Sequence, residues 1–345
     1  MTDMTNVAVT VPASPARRVR PTRPALSGLF WVAVRQHRTA LLGIAAALGF
    51  CALVLVYYGL SMHRDFISLG MTHCLANPVG ETTRDCGTKA MAFQSDQNRV
   101  NQLMAAFLPL PLVFGLFIGA PLLAREYESG TYRFAFTQGA SRTRWLVMKI
   151  AVLTLFTIIT ASAFTSVVMW WYAPLIPLDG RIGQTGIPEI YGAVFVARAV
   201  FALAVGILAG AVLRRVVPAI GATLVVWIAV VVPSIVSLRP RLLTPVTVFN
   251  GTNPVVGWVV SDTWRGPTGS VLNGTQVADA LYSASTSGHK IDGNQYLYQH
   301  GYSQVVLYQP ANRFWTLQFI EAGGLAAVSL ALLVAAVWLV RRRAA

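Results

Sequence analysis

The residues able to do chemistry in this sequence are few and far apart. Glu126 and Glu128 lie in the run Arg125-Glu126-Tyr127-Glu128-Ser129-Gly130-Thr131, with Arg133, Arg142 and Arg144 following. The stretch is short, mixed in charge and amphipathic; on residues alone, solvated loop charge accounts for it. Cys74 and Cys86 are twelve apart, a spacing that allows a disulfide if their loop lies in an oxidising compartment. His63 and His73 lie near Cys74, but the spacing fits no zinc pattern, so no metal site is expected. Arg198 and Glu321 lie inside or at the edge of apolar runs, where a charge is costly and marks a functional hypothesis. Two readings stay open for them: an ion pair, or two side chains snorkelling separately. The five histidines are scattered and no acid cluster occurs, so no catalytic constellation emerges. No Gly-x-x-x-x-Gly-Lys-Ser/Thr loop occurs either, so nothing in the sequence would cradle ATP phosphates.

The elements that must carry these residues follow from composition. The chain has 345 residues, 55% of them apolar and only 12% charged, with mean hydropathy +0.57. Soluble domains carry about 25% charged residues, so the membrane class is expected and a soluble enzyme or a disordered chain is not. A bilayer core takes about 20 apolar residues as helix. Six runs meet that length: 41–60, 100–124, 150–178, 190–213, 216–238 and 322–340. Pro109, Pro111 and Pro121 predict that the second is kinked or starts late.

The charge balance sets the orientation. The 27 Lys and Arg outnumber the 13 Asp and Glu, for a net +14. With the N-terminus inside, nearly all of that excess falls on the inner segments, the positive-inside pattern. The expected fold is therefore an all-α polytopic membrane protein with six spans, N-in and C-in, in the plasma (inner) membrane. The same topology accounts for the basic excess through anionic membrane lipid, with no nucleic-acid partner. Residues 1–25 read as a disordered basic tail without a signal-peptide core. Residues 26–38 read as an amphipathic helix in the inner interface or a plain membrane-proximal loop. Residues 39–238 hold spans one to five, with an outer loop at 63–99 and an inner loop at 125–149. Residues 239–316 read as a small outer domain, with short helices expected near Gln276–Tyr282 and Tyr296–Tyr308. Residues 317–345 carry span six and a basic C-terminus. Trp258, Trp264 and Trp315 are expected at the membrane interface. Sequons occur at Asn250 and Asn273.

The inner loop resembles a known family. An Arg-Glu-x-Glu-x-Gly-Thr stretch, then Phe136-Thr137-Gln138, then Ser141-Arg142-Thr143-Arg144-Trp145 and Lys149, is similar to permeases of type-two ATP-binding-cassette exporters in their actinobacterial form. Tyr308-Gln309-Pro310, Phe314-Trp315, Gln318, Glu321 and the closing Arg run add to the likeness. The resemblance implies that the inner loop forms a coupling helix docking into a separate ATPase subunit, and that residues 26–38 form an elbow helix. It implies that Glu126 and Glu128 pair at that interface, flanked by Arg125, Gly130, Thr131, Arg133, Arg142 and Arg144. ATP and Mg would be bound by the partner, with no cofactor in this chain. A second permease copy would complete the pathway, as homodimer or heterodimer. Gly115-x-x-x-Gly119 and Gly206-x-x-x-Gly210 permit close helix contacts, within one subunit or between two. The apolar second and fifth spans favour an amphipathic or hydrophobic cargo. Two other functions remain open: a transporter-like complex that transmits conformational change without substrate flux, and a membrane-embedded enzyme.

Overall fold

The structure is a computed structural model that describes residues 26–76, 86–93, 106–130, 142–182, 187–249, 257–286 and 293–343. The tail 1–25, the Phe136-Thr137-Gln138 step, Thr131, Arg133, Ser141 and Asn250 lie outside the described residues. Among the described residues, six helices are long and apolar enough to cross a membrane: Phe30–Ser68, Leu110–Glu128, Thr143–Leu178, Ala193–Leu213, Val216–Arg241 and Ala311–Arg342. They are numbered here as the first to sixth spans. The fourth is the hub and touches the second, third, fifth and sixth.

The first span differs from expectation. Residues 26–38 and the following apolar run form one uninterrupted helix, Leu26–Ser68, without a break into an elbow and a span. No Gly or Pro falls between Trp31 and Leu42, so nothing interrupts the backbone ladder there. Leu41, Ile44, Leu48, Leu55 and Met62 are buried. They recur at three-, four- and seven-residue steps, so one helix face packs inward, mainly on the third span. Phe50 and Leu53 on the other face stay exposed, as hydrocarbon contact permits.

The second span starts late. Its regular helix begins at Leu110, after Pro109, and the span passes through a π-turn at Gly115–Gly119 into the helix Ala120–Glu128. Gly115 and Gly119 pack closely on the fourth span. A Cβ at Gly115 would run into the Ala202 carbonyl oxygen, and one at Gly119 would lie 2.6 Å from that of Leu203. Gly206 and Gly210 return the contact: a Cβ added at Gly206 would lie 2.5 Å from the Gly115 oxygen, and one at Gly210 would lie 2.6 Å from the Ala120 oxygen. Both glycine motifs thus serve one interface within the subunit.

The chain is not all-α. Between the fifth and sixth spans lies a three-stranded antiparallel sheet ordered β1-β3-β2, formed by Val246–Phe249 (β1), Gly257–Arg265 (β2) and Ser303–Pro310 (β3). The helix expected over Tyr296–Tyr308 is right only at its start: Gly293–Gln299 is helical, a turn follows at 300–302, and Ser303–Pro310 is β3. The run Gln304-Val305-Val306-Leu307 is β-branched and apolar, and in a central strand it buries Gln304 and Val306. The helix Gly274–Thr286 contains the expected 276–282 segment. Asn273 caps its first turn, its side-chain oxygen accepting from Gln276 N–H at 2.9 Å. Trp264 is buried against Tyr298, ring centroids 5.5 Å apart, so it belongs to this unit's own core and does not anchor at an interface.

Cys74 and Cys86 form a disulfide with Cα atoms 5.5 Å apart. It fastens the helical residues 86–93, whose Phe93 meets Phe66 of the first helix edge to face. For a loop of this size the cross-link is worth about 3 kcal/mol through the unfolded state. Cys74→Ser is therefore expected to lower the thermal midpoint of the purified protein by several degrees. Reductant should lower the parent to the same value and leave the variant unmoved. An equal effect of reductant on both proteins would contradict this.

Candidate functional site

The polar side chains of the bundle gather at its two ends. The first helix begins, and the sixth span finishes, at the end that carries Glu128 and Arg142; the sheet lies at the other. The two are called the loop end and the sheet end.

At the loop end, Glu126 is buried and does not face outward. Its Oε1 accepts from Lys149 Nζ of the third span and from Gln36 Nε2 of the first helix, the latter at 3.1 Å. Lys149 is 1% exposed, and its ammonium lies 3.8 Å from the Trp145 ring centroid. Glu126 thus faces Lys149 and Gln36 within the bundle. The second-span helix continues to Glu128, and on the helical period position 126 shares a side with Leu122 and Leu123, which pack in the core. Desolvating a lone carboxylate there is costly, and Lys149 supplies the opposite charge.

Glu128 is exposed. Its Oε1 accepts from Val216 N–H at 2.9 Å, placing negative charge at the N-terminus of the fifth-span helix. Arg214, which ends the fourth span at φ 56°, holds its guanidinium 5.4 Å from the Tyr127 ring centroid. Ser129 Oγ donates to the Arg125 carbonyl at 2.8 Å. Gly130 follows at φ 67°, the left-handed conformation that closes a helix and that glycine adopts without a Cβ clash. Arg125 is exposed on the last turn. Arg142 begins the third-span helix, and Arg144 lies half-buried in its first turn. The loop end thus has a bonded frame, Gln36–Glu126–Lys149, that joins the first helix to the second and third spans. Arg125, Glu128 and Gly130 lie at its rim.

At the sheet end, Arg198 Nη2 donates to Glu321 Oε1 at 2.5 Å, and Arg198 is only 2% exposed. Two groups that the sequence places among the outer charges join them. Arg239, at the far end of the fifth span, donates from Nη1 to Glu189 Oε1 at 2.6 Å, and both are buried. Ser234 Oγ reaches Glu321 Oε1 at 3.4 Å. Gln318 donates to the Pro188 carbonyl at 2.6 Å and accepts from Val194 N–H at 3.0 Å, capping the start of the fourth span. A signal for Glu189 exists in the sequence: it sits between Pro188 and Ile190 in an apolar setting, where a carboxylate needs a partner.

Six long apolar helices, with charged groups paired internally at both ends, define a multi-pass helical membrane protein. Residues 45–239 match the family described as ABC-2 membrane transporter related, more than half of the chain, and the protein belongs to that family. It is thus an ABC-2 type permease, a membrane transporter component. The matched range takes in both Glu126 and Lys149, and Arg198, Glu189 and Arg239. No curated protein and no solved structure matches the chain.

Proposed function

We propose that the protein is the membrane subunit of an ATP-driven exporter, moving an amphipathic or hydrophobic cargo outward across the plasma membrane. The loop end faces the cytoplasm, and the sheet forms a small domain outside. Residues 125–149 are the coupling segment, which a separate ATP-binding-cassette ATPase grips and which that partner's ATP and Mg drive. A second permease copy completes the pathway, and anionic lipid neutralises the basic inner face.

One observation carries this reading: Glu126 and Lys149 clamp the two ends of the coupling segment to each other and, through Gln36, to the first helix. A push on residues 129–141 is then delivered to three helices at once. In this arrangement Glu126 positions the segment, and the exposed Arg125 and Glu128 touch the partner. Residues 26–38 continue the first helix toward that partner.

The test is affinity capture of the tagged full-length chain from its own membrane, scored for a co-purifying ATPase bearing a phosphate-loop motif. Reversing two rim charges, Arg125→Glu with Glu128→Lys, is expected to lower ATPase recovery at least about tenfold, the equivalent of about 1.4 kcal/mol. Recovering no such ATPase, or recovering it equally with both proteins, would sink the proposal.

A further inference from the structure

The sheet-end cluster is balanced in charge but not saturated in hydrogen bonds. It holds two arginines and two glutamates, all buried: Arg198, Arg239, Glu189 and Glu321. Among the described residues, Arg198 Nε, Arg239 Nε and Glu321 Oε2 are buried without a hydrogen-bond partner. Two of these atoms, Arg239 Nε and Glu321 Oε2, face each other across 3.6 Å, beyond hydrogen-bonding distance. Buried polar groups are nearly always satisfied, so a donor and an acceptor left just short of contact require an explanation.

The fifth span supplies one. From Val216 to Val232 it is a regular apolar helix, lightly buried, whose Thr223 hydroxyl bonds back to its own helix at Ala219. At Pro233 the regular helix ends, a π-turn runs over Ser234–Leu238, and a 3-10 turn over Arg239–Arg241. Proline removes a backbone donor, and π-turns recur where a helix must accommodate function. The last eight residues of the span are thus jointed to its body. Ser234 and Arg239 tie them to the fourth-span approach and to the sixth span. Beside them is an open hollow lined by Val236, Ser237, Pro240 and Arg241 together with Thr244 and Val260.

We propose that Arg239 is an exchangeable latch. In the arrangement described its guanidinium is bonded to Glu189, and the jointed segment 234–241 is held against the approach to the fourth span. In a second arrangement Nε closes on Glu321 Oε2, the Glu189 bond is released, and the segment swings about Pro233 toward the sixth span. Glu321 can accept this second arginine because Arg198 occupies its other oxygen. Arg239 keeps a carboxylate partner in both arrangements, and Glu189, left without one in the second, makes that the minor state of the parent. The segment runs straight into β1, so the sheet edge moves with it. The proposal rests on the transporter reading in one respect only, that the sheet end must open and close during a cycle.

The experiment measures electron–electron distances between two spin labels in full-length protein in lipid nanodiscs, without ATPase. Labels go on Val236→Cys, at a position 68% exposed on the jointed segment, and on Ser166→Cys, exposed on the third span. Cys51→Ser removes the free thiol. The parent is expected to give one dominant distance. Glu189→Gln removes the charge that holds Arg239 and should add a second, displaced population. If Glu189→Gln does not fold, Glu189→Asp is the substitute: it keeps the charge but withdraws the carboxylate from Arg239, and the same second population is expected. A single unchanged distance in the folded variant overturns the latch. Such a result leaves the exporter reading standing, since that reading is judged by ATPase capture.

Discussion

Replacing Gly206 with leucine is expected to leave no folded, monodisperse protein extractable from the membrane, and Gly206→Ala to leave a much reduced yield. The reason is steric and local. A Cβ at position 206 would lie 2.5 Å from the Gly115 oxygen, 2.7 Å from the Ala120 nitrogen and 2.9 Å from the Gly119 carbonyl carbon. All three are backbone atoms, so no rotamer change can make room. The second and fourth spans must separate. In hydrocarbon, helix association rests on close packing rather than on expulsion of water, so separation forfeits most of what joins them. Overpacking costs about 1–3 kcal/mol where side chains can adjust, and backbone on both sides puts Ala at the top of that range. The control is Gly49→Ala, where nothing lies within 4 Å of the added carbon; its yield should match the parent's. Size-exclusion profiles of fluorescently tagged variants decide the matter. Equal yields of Gly206→Ala and Gly49→Ala would show that the interface has slack the structure lacks.

The second large effect concerns the loop-end frame. Lys149→Met strands a buried carboxylate, and Glu126→Gln strands a buried ammonium. Breaking one side of such a pair costs about 3–5 kcal/mol, whereas replacing both sides with neutral groups of similar volume is close to neutral. Each single variant should therefore unfold at distinctly lower temperature in detergent, and the double variant should recover most of the loss. After Glu126→Gln the new amide oxygen still accepts from Gln36, and after Lys149→Met the new thioether still lies on the Trp145 ring, so packing survives in the double change. Were the double variant as unstable as the sum of the two singles, Glu126 and Lys149 would be acting independently.

The six spans are legible in the sequence because apolar runs of that length admit few other structures in a membrane. The late start of the second span can be read from its prolines. Pairings at the two ends are legible only in part. Arg198 and Glu321 stand out as charges in apolar surroundings, but Arg239 and Glu189 sit at span edges, where sequence cannot separate a buried group from a solvated one. Glu126 is not legible there either, for a related reason. Its direction depends on the helix running on to Glu128, and its partner Lys149 is 23 residues away on another helix. The strand β3 is hidden because Tyr296–Tyr308 holds a helix-forming half and a β-branched half, and the break between them falls near Gly301 with no longer turn signal.

The unbroken first helix has a consequence in leverage. Its 43 residues make a rod about 64 Å long at 1.5 Å per residue, roughly twice the thickness of a hydrocarbon core. Gln36, bonded to Glu126, lies well off centre. About 15 Å of the rod extends on the Leu26 side of that contact and about 48 Å on the Ser68 side. A stiff rod tilting about this point has a mechanical ratio near three to one. Each ångström of travel at the short arm becomes about 3 Å at the long one, where His63 stacks on Trp170.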